Sequence, residues 1–322
     1  MTRTNDDSEP TDRRQASDGT ADSGATSSTP SPSPGNDSPT VPRSAGQLER
    51  AVRKFSRTRG LAERRVRDWI SYMALGGRLE AASHARGEGP LFTFKGGVVM
   101  ELRRRGAARA TQDLDLTYLG AETDIVLVMQ DAVAEPYGRF SFRLSGTPRE
   151  MANVNTTRVE LAVRFDGTRW GTVVVDVSRG ESHAVEVEFV PAFDLWRDFG
   201  VAGPKQLPCL SARYHLAHKL HGMTKASPDG ASNARVQDAI DALLFRDIVT
   251  DMPAAYEACV DVFASRKQHG WPPMFEPPES WGERFAAMAE SLGLEVRDLA
   301  SATAALREFV REIDRARRAD DR

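Results

Sequence analysis

Apolar residues change their spacing twice along this chain, and that change constrains the fold more than any other feature. Across residues 61–82 they recur at helical intervals through Val66, Trp69, Ile70, Met73 and Leu75, and a shorter helix is expected at 47–57. Beyond Leu91 the runs shorten to β length. Expected strands at 91–94 and 114–117 enclose Gly96-Gly97 and a helical stretch at 98–105, and 124–134 reads as a further helix. Short runs at 140–144, 159–165, 172–177 and 185–190 follow. Several alternate apolar with polar, and turn signals at Asp166-Gly167 and Arg179-Gly180 part them. After Pro208 the period is helical again. Ser211 can cap a helix to Met223, 234–249 makes another, Pro253 opens one more at its first turn, and 295–318 is amphipathic. The order predicts an α/β (α+β) fold, with a mixed-sheet core at 47–205 and a C-terminal helical domain at 206–322.

Residues 1–46 are rich in Ser, Thr, Pro, Asp and Gly and hold almost no large apolar side chains, so a disordered tail is expected there. The tail has seven acidic and four basic side chains, which account for the whole net charge of −3. The rest of the chain is balanced, so bulk charge does not advertise nucleic-acid binding, although a local basic face can still serve RNA. No window approaches the roughly 18 consecutive apolar residues of a membrane helix, and no apolar signal core opens the chain. Cys209 and Cys259 are far apart, which argues against a thiolate zinc site and suits a reducing cytoplasm.

The chemistry is concentrated in Phe94-Lys95-Gly96-Gly97 and Asp113-Leu114-Asp115-Leu116. Residues two apart on a strand share a face, so Asp113 and Asp115 can project together. Carboxylates held close repel unless a cation lies between them, and hard oxygen donors suit Mg²⁺ or Mn²⁺. Gly96 and Gly97 end a strand and open a helix, where bare backbone N–H groups can approach a phosphate. Asp176, inside the apolar Val173–Val177 run, is the candidate third acid, either as a metal ligand or as acceptor of a hydroxyl proton. Lys219 lies at a helical position among apolar neighbours and can reach phosphate across a cleft. Arg235, Asp238 and Asp241 are spaced three apart on one helix side, so Asp238 can hold Lys219 and Arg235 can bind phosphate or pair with either acid.

Each piece also has a plainer reading. A Gly-Gly turn alone is a weak signal, Asp176 can simply pair with an arginine such as Arg164, and Lys219 can be a snorkelling surface lysine. Arg235–Asp238 can be a solvated ion pair. His215, His218 and His221 resemble a metal-ligand run, but they drift around the helix and lack an evident fourth ligand, which favours core or surface roles. The functional reading rests on the combination, in this order.

That combination resembles the AbiEii/AbiGii toxin family of nucleotidyltransferases, through Lys95-Gly96-Gly97, the 110–116 segment around Asp113 and Asp115, Lys219, and the run 235–241. The segment His269-Gly270-Trp271-Pro272-Pro273, with Pro277, Pro278 and Trp281, is similar as well. The sequence departs at Gln237, where the family usually has Lys, and at Val98-Val99, where Thr-Ala is frequent. The resemblance implies a cytoplasmic toxin with a cognate antitoxin that transfers NMP from a nucleoside triphosphate, with Mg²⁺ or Mn²⁺, to an RNA acceptor, the tRNA 3′ end foremost, and so blocks translation. Lys95, Gly96, Gly97, Lys219 and Arg235 would bind nucleotide, Asp113, Asp115 and Asp176 the metal, and Asp238 would support Lys219. Arg103, Arg104, Arg105 and Arg109 would present a positive surface beside the turn. Two alternatives stay open: transfer to a protein or small-molecule hydroxyl, and a nucleotide- or partner-binding module without turnover.

Overall fold

The computed structural model describes residues 40–87, 89–151, 155–180, 186–225 and 235–320. The expected tail thus lies outside the described residues up to position 39. Its last stretch is fixed, contrary to expectation. Arg139 donates to the carbonyls of Pro42 and Arg43 at 3.1 and 3.0 Å. Ser44 caps α1 (Ala45–Arg59) by accepting from the Gln47 backbone N–H.

Helix α2 (Glu63–Arg86) lies across the sheet with Val66, Ile70, Met73 and Leu79 buried against it. Its approach is close because Gly76 and Gly77 have no side chains. A Cβ at Gly76 would stand 2.6 Å from Leu207, and one at Gly77 would overlap the Tyr137 ring. Such mid-helix glycines cost about 1 kcal/mol each against alanine, a cost offset here by intimate packing.

Strands β1 (Phe92–Lys95) and β2 (Leu114–Tyr118) enclose the short helix α3 (Gly96–Arg103), and α4 (Ile125–Ala132) follows. A meander of β3 (Phe140–Met151), β4 (Thr156–Phe165) and β5 (Thr168–Arg179) comes next. Asp166 and Gly167 turn the β4–β5 hairpin with φ of 51° and 74°, a pair of left-handed residues that suits a tight hairpin. Beyond lie β6 (Val187–Pro191), α5 (Leu195–Phe199) and β7 (Gln206–Leu210). The expected strand start at Val185 falls outside the described residues. The seven strands form one mixed sheet in the order β3-β4-β5-β2-β1-β7-β6. Neither α5 nor β7 was expected, since no element was assigned between Val190 and Pro208, and a proline interrupts a strand ladder. The break is real: β7 meets β1 only at Cys209, opposite Phe94, and keeps its longer ladder with β6.

Registers decide what the two sheet faces carry. Phe94 pairs with Leu116, which pairs with Val177, and these apolar side chains face the α1–α2 layer. One residue along, Lys95 pairs with Asp115 and Asp115 with Asp176, so the strand alternation puts these charges on the opposite face.

The helices after the sheet bury a second apolar cluster among themselves. They are α6 (Ala212–Thr224), α7 (Val236–Phe245), α8 (Met252–Arg266), α9 (Gly282–Ser291) and α10 (Leu299–Asp320). Asp251 caps α8 and Pro253 sits in its first turn, as expected. Ser211 stands at the start of α6, but its hydroxyl makes no capping bond. Residue Ala234, the expected start of α7, lies outside the described residues, and α10 starts at Leu299 rather than Glu295. Among the described residues no helix is long and apolar enough to cross a membrane.

Candidate active site

The polar face of the sheet and the first helices of the C-terminal cluster line a cleft of about 580 Å³, to which Lys95, Gly96, Asp115, Lys219, Arg235 and Asp238 all contribute. The β1–α3 turn is built by its glycines for two different reasons. Gly96 has φ +66°, and a Cβ there would overlap the Asp115 carboxylate. At Gly97 a Cβ would instead stand 2.6 Å from Thr111. Thus Gly96 keeps the backbone bare beside Asp115, whereas Gly97 lets the loop before β2 pack on α3. Lys95 Nζ donates to Ser178 Oγ at 2.5 Å across the sheet.

The loop before β2 is positioned by Glu101, which is buried with Arg65 and Trp69 as donors and accepts from the Thr111 backbone N–H at 3.2 Å. Thr111 Oγ1 in turn donates to the Asp113 carbonyl and carboxylate at 3.1 and 3.3 Å. Sequence reasoning did not single out Glu101, Arg65 or Thr111.

Asp115 and Asp176 stand side by side in register. Asp113 and Asp176 are joined by Arg158, which no sequence expectation named. Its guanidinium makes two 2.6 Å bonds to Asp176, and Nη2 lies 3.7 Å from Asp113 Oδ2. Arg158 is register partner of Asp176 across β4–β5, so the signal was an arginine on an alternating strand. The suggested partner Arg164 instead donates to the Gly167 carbonyl. Among the described residues no three acidic, histidine or cysteine groups form a ready metal cage. Burial raises the pKa of Asp115 above the ordinary carboxylate range; Asp113 and Asp176 add to the rise, while Lys95 and Lys219 oppose it.

Across the cleft, Lys219 Nζ lies 2.8 Å from Asp238 Oδ1 and 2.9 Å from Asp241 Oδ2. Arg109 holds Asp241 with two bonds of 3.2 and 3.0 Å, and Arg235 reaches Asp238 Oδ2 at 3.1 Å. Burial alone would discharge Lys219, but its two carboxylates outweigh burial and push its pKa up. For Asp238 burial works upward, and Lys219 and Arg235 overcome it, so its pKa falls. Gly222 is required here as well, since a Cβ would stand 2.7 Å from Asp238 Oδ2.

Three of the four arginines expected to present a positive surface beside the turn are taken up by other elements, while Arg105 stays exposed. Arg103 is taken up by Glu188 and the Leu210 carbonyl, Arg104 pairs with Asp247, and Arg109 with Asp241. Long side chains that looked like a ligand surface link α3 and its following loop to β6 and α7 instead.

The chain belongs to the AbiEii nucleotidyl transferase toxin family of type IV toxin–antitoxin systems, whose model matches residues 79–316. It is a nucleotidyltransferase toxin, and its family implies a nucleoside triphosphate substrate and an antitoxin. In fold it is similar to MenT4, a nucleotidyltransferase toxin from Mycobacterium tuberculosis H37Rv. The TM-score is 0.53 at 16% identity, over 85% of this chain and 90% of that one. An antigenic nucleotidyltransferase-like protein from Paracoccidioides brasiliensis aligns over 60% of this chain and 89% of its own, at 13% identity and a TM-score of 0.35. Comparison with curated proteins found no match.

Proposed function

We propose that this toxin transfers NMP from a nucleoside triphosphate to an RNA 3′ hydroxyl, the tRNA acceptor end foremost, in the cytoplasm, and so blocks translation until a cognate antitoxin restrains it. The observation that carries this reading is the register of Asp115 with Asp176 beside Gly96, facing Lys219 over one cleft. Residues 47–205 serve as the catalytic core and 206–322 as the helical domain that closes on the nucleotide.

The donor chemistry fits a divalent cation. Asp113, Asp115 and Asp176 are hard oxygen donors, burial first and the two neighbouring carboxylates after it raise Asp115, and a guanidinium already bridges two of them. Asp113, Asp115 and Asp176 would hold Mg²⁺ or Mn²⁺, which when bound supplies charge neutralisation at the triphosphate. The chain's own groups do the rest. Lys95, Gly96 and Gly97 form the turn where phosphate is gripped, with the α3 N-terminus favouring the anion. Lys219 stays protonated and offers positive charge, Asp238 fixes its position, and Arg235 adds charge at the rim. If Asp176, held by Arg158, does not complete the metal site, it would instead take the proton of the attacking hydroxyl.

Induced expression of Asp115→Ala should leave a folded protein that no longer arrests growth. Growth arrest as strong as wild type would overturn the catalytic reading. Separating RNA from protein after incubation with labelled triphosphate identifies the acceptor: label confined to protein would replace tRNA with a protein hydroxyl.

A further inference from the structure

The helix that carries Lys219 also carries three histidines at one cleft wall, and none of them has a part in the transfer chemistry. His215, His218 and His221 all line the cleft. His215 and His221 are almost fully buried, at 2% and 1% exposure. Both ring nitrogens of His215 and the Nε2 of His221 have no hydrogen-bond partner among the described residues. Buried polar atoms left this way are costly and mark places where a partner is expected.

The tautomer of His221 follows from its neighbour. Arg266, at the end of α8, lies 2.6 Å from His218 Nδ1 and 3.4 Å from His221 Nδ1. A guanidinium has donors only, so both Nδ1 atoms accept and the proton of each neutral ring sits on Nε2. His221, a residue of the cleft lining, therefore carries an Nε2–H donor that has no acceptor among the described residues. Burial, with Arg266 next, holds the His221 pKa down at about 3, so the ring stays neutral at physiological pH. Charge for phosphate is already supplied on this side by Lys219, Lys225, Arg235 and Arg266. Flat rings surround the donor: His221 lies 5.0 Å from Phe263 and 4.6 Å from His269. A neutral N–H among aromatic planes suits the edge of a nucleobase better than a phosphate.

We propose that the α6 wall is the nucleobase subsite of the cleft, with His221 Nε2–H donating to an acceptor atom on the base edge and His215 offering a second polar contact below it. The inference rests on the nucleotidyltransferase reading and adds the determinant of nucleotide choice.

Equilibrium binding of ATP, GTP, CTP, UTP and inorganic triphosphate to the full chain tests it. Wild type should prefer one nucleotide over the others by about tenfold, the scale of one buried hydrogen bond. His221→Phe should reduce that preference to within about twofold while binding inorganic triphosphate as wild type does. His221→Gln, which restores an N–H donor, should recover part of it. Should His221→Phe fail to fold, His215→Phe should weaken the preference in the same direction. Retained preference in the soluble histidine variant overturns the subsite, as does equal loss of nucleotide and inorganic triphosphate affinity, which would put the ring on the phosphates. A wild type that binds and transfers nucleotide without base preference sinks this inference alone. A wild type that binds no triphosphate takes the transfer reading down with it.

Discussion

Two clusters of charge face each other across the cleft, and they are balanced differently. On the sheet, Asp113, Asp115 and Asp176 are answered by Arg158 and Lys95, and the buried Asp115 is left with a raised pKa. On the helices, Asp238 and Asp241 are answered by Lys219, Arg109 and Arg235, and both Lys219 and Asp238 are held in their charged forms. The helical cluster is closed by its own counterions. The sheet cluster is short of positive charge, as the metal and triphosphate site proposed above would be, and in that it differs from a structural ion network.

Breaking the helical cluster should have the largest effect on stability. Asp241 is fully buried and shared by Lys219 and Arg109. Asp241→Ala should lower unfolding free energy by about 3–5 kcal/mol, read by urea denaturation, because it leaves the part-buried Arg109 without its carboxylate and takes one of two from Lys219. An unchanged midpoint would mean that the network is solvated and the contrast false.

The sheet cluster should respond in the opposite sense. An acid whose folded pKa is raised destabilises while charged, and stability returns as pH falls through that folded pKa. Asp238 is the reverse case: its stabilising effect is present above the ordinary Asp value and is lost as pH falls below it through the depressed pKa. Asp115→Asn should therefore make the cation-free protein more stable than wild type at neutral pH, with the gap closing as pH falls toward the carboxylate range. Thermal melts across pH read this directly, and a destabilised variant at neutral pH would contradict it.

The smallest effect is expected at Arg158, which is 36% exposed. Arg158→Ala should change stability by about 1 kcal/mol or less. It should also make the melting temperature rise more on addition of Mn²⁺ than it does in wild type, since the acids have lost a cation. An equal rise in both would detach Arg158 from the acidic cluster.

The contrast also shows what a sequence can reveal. Asp115 and Asp176 were legible because strand alternation turns a two-residue spacing into a shared face, and a carboxylate within an apolar run calls for a partner. Lys219 with Asp238 was legible from helical spacing and motif order. The identities of partners were not. Arg158 and Asp176 are 18 positions apart, and Arg109 and Asp241 are 132 apart. Such pairings are set by sheet register and helix packing, which no local window contains. The same limit made Arg103 and Arg109 look like a surface for ligand. Pro208 hid β7 because a strand can tolerate a missing N–H where its ladder is already interrupted.

Transfer of label from α-phosphate-labelled nucleoside triphosphates to bulk tRNA, by wild type and by Asp115→Asn side by side with Mg²⁺ or Mn²⁺, tests the central claim most directly. Labelled tRNA 3′ ends with wild type, and none with a variant that melts at the same temperature or higher, is the predicted result. Equal labelling by the two proteins would contradict the account.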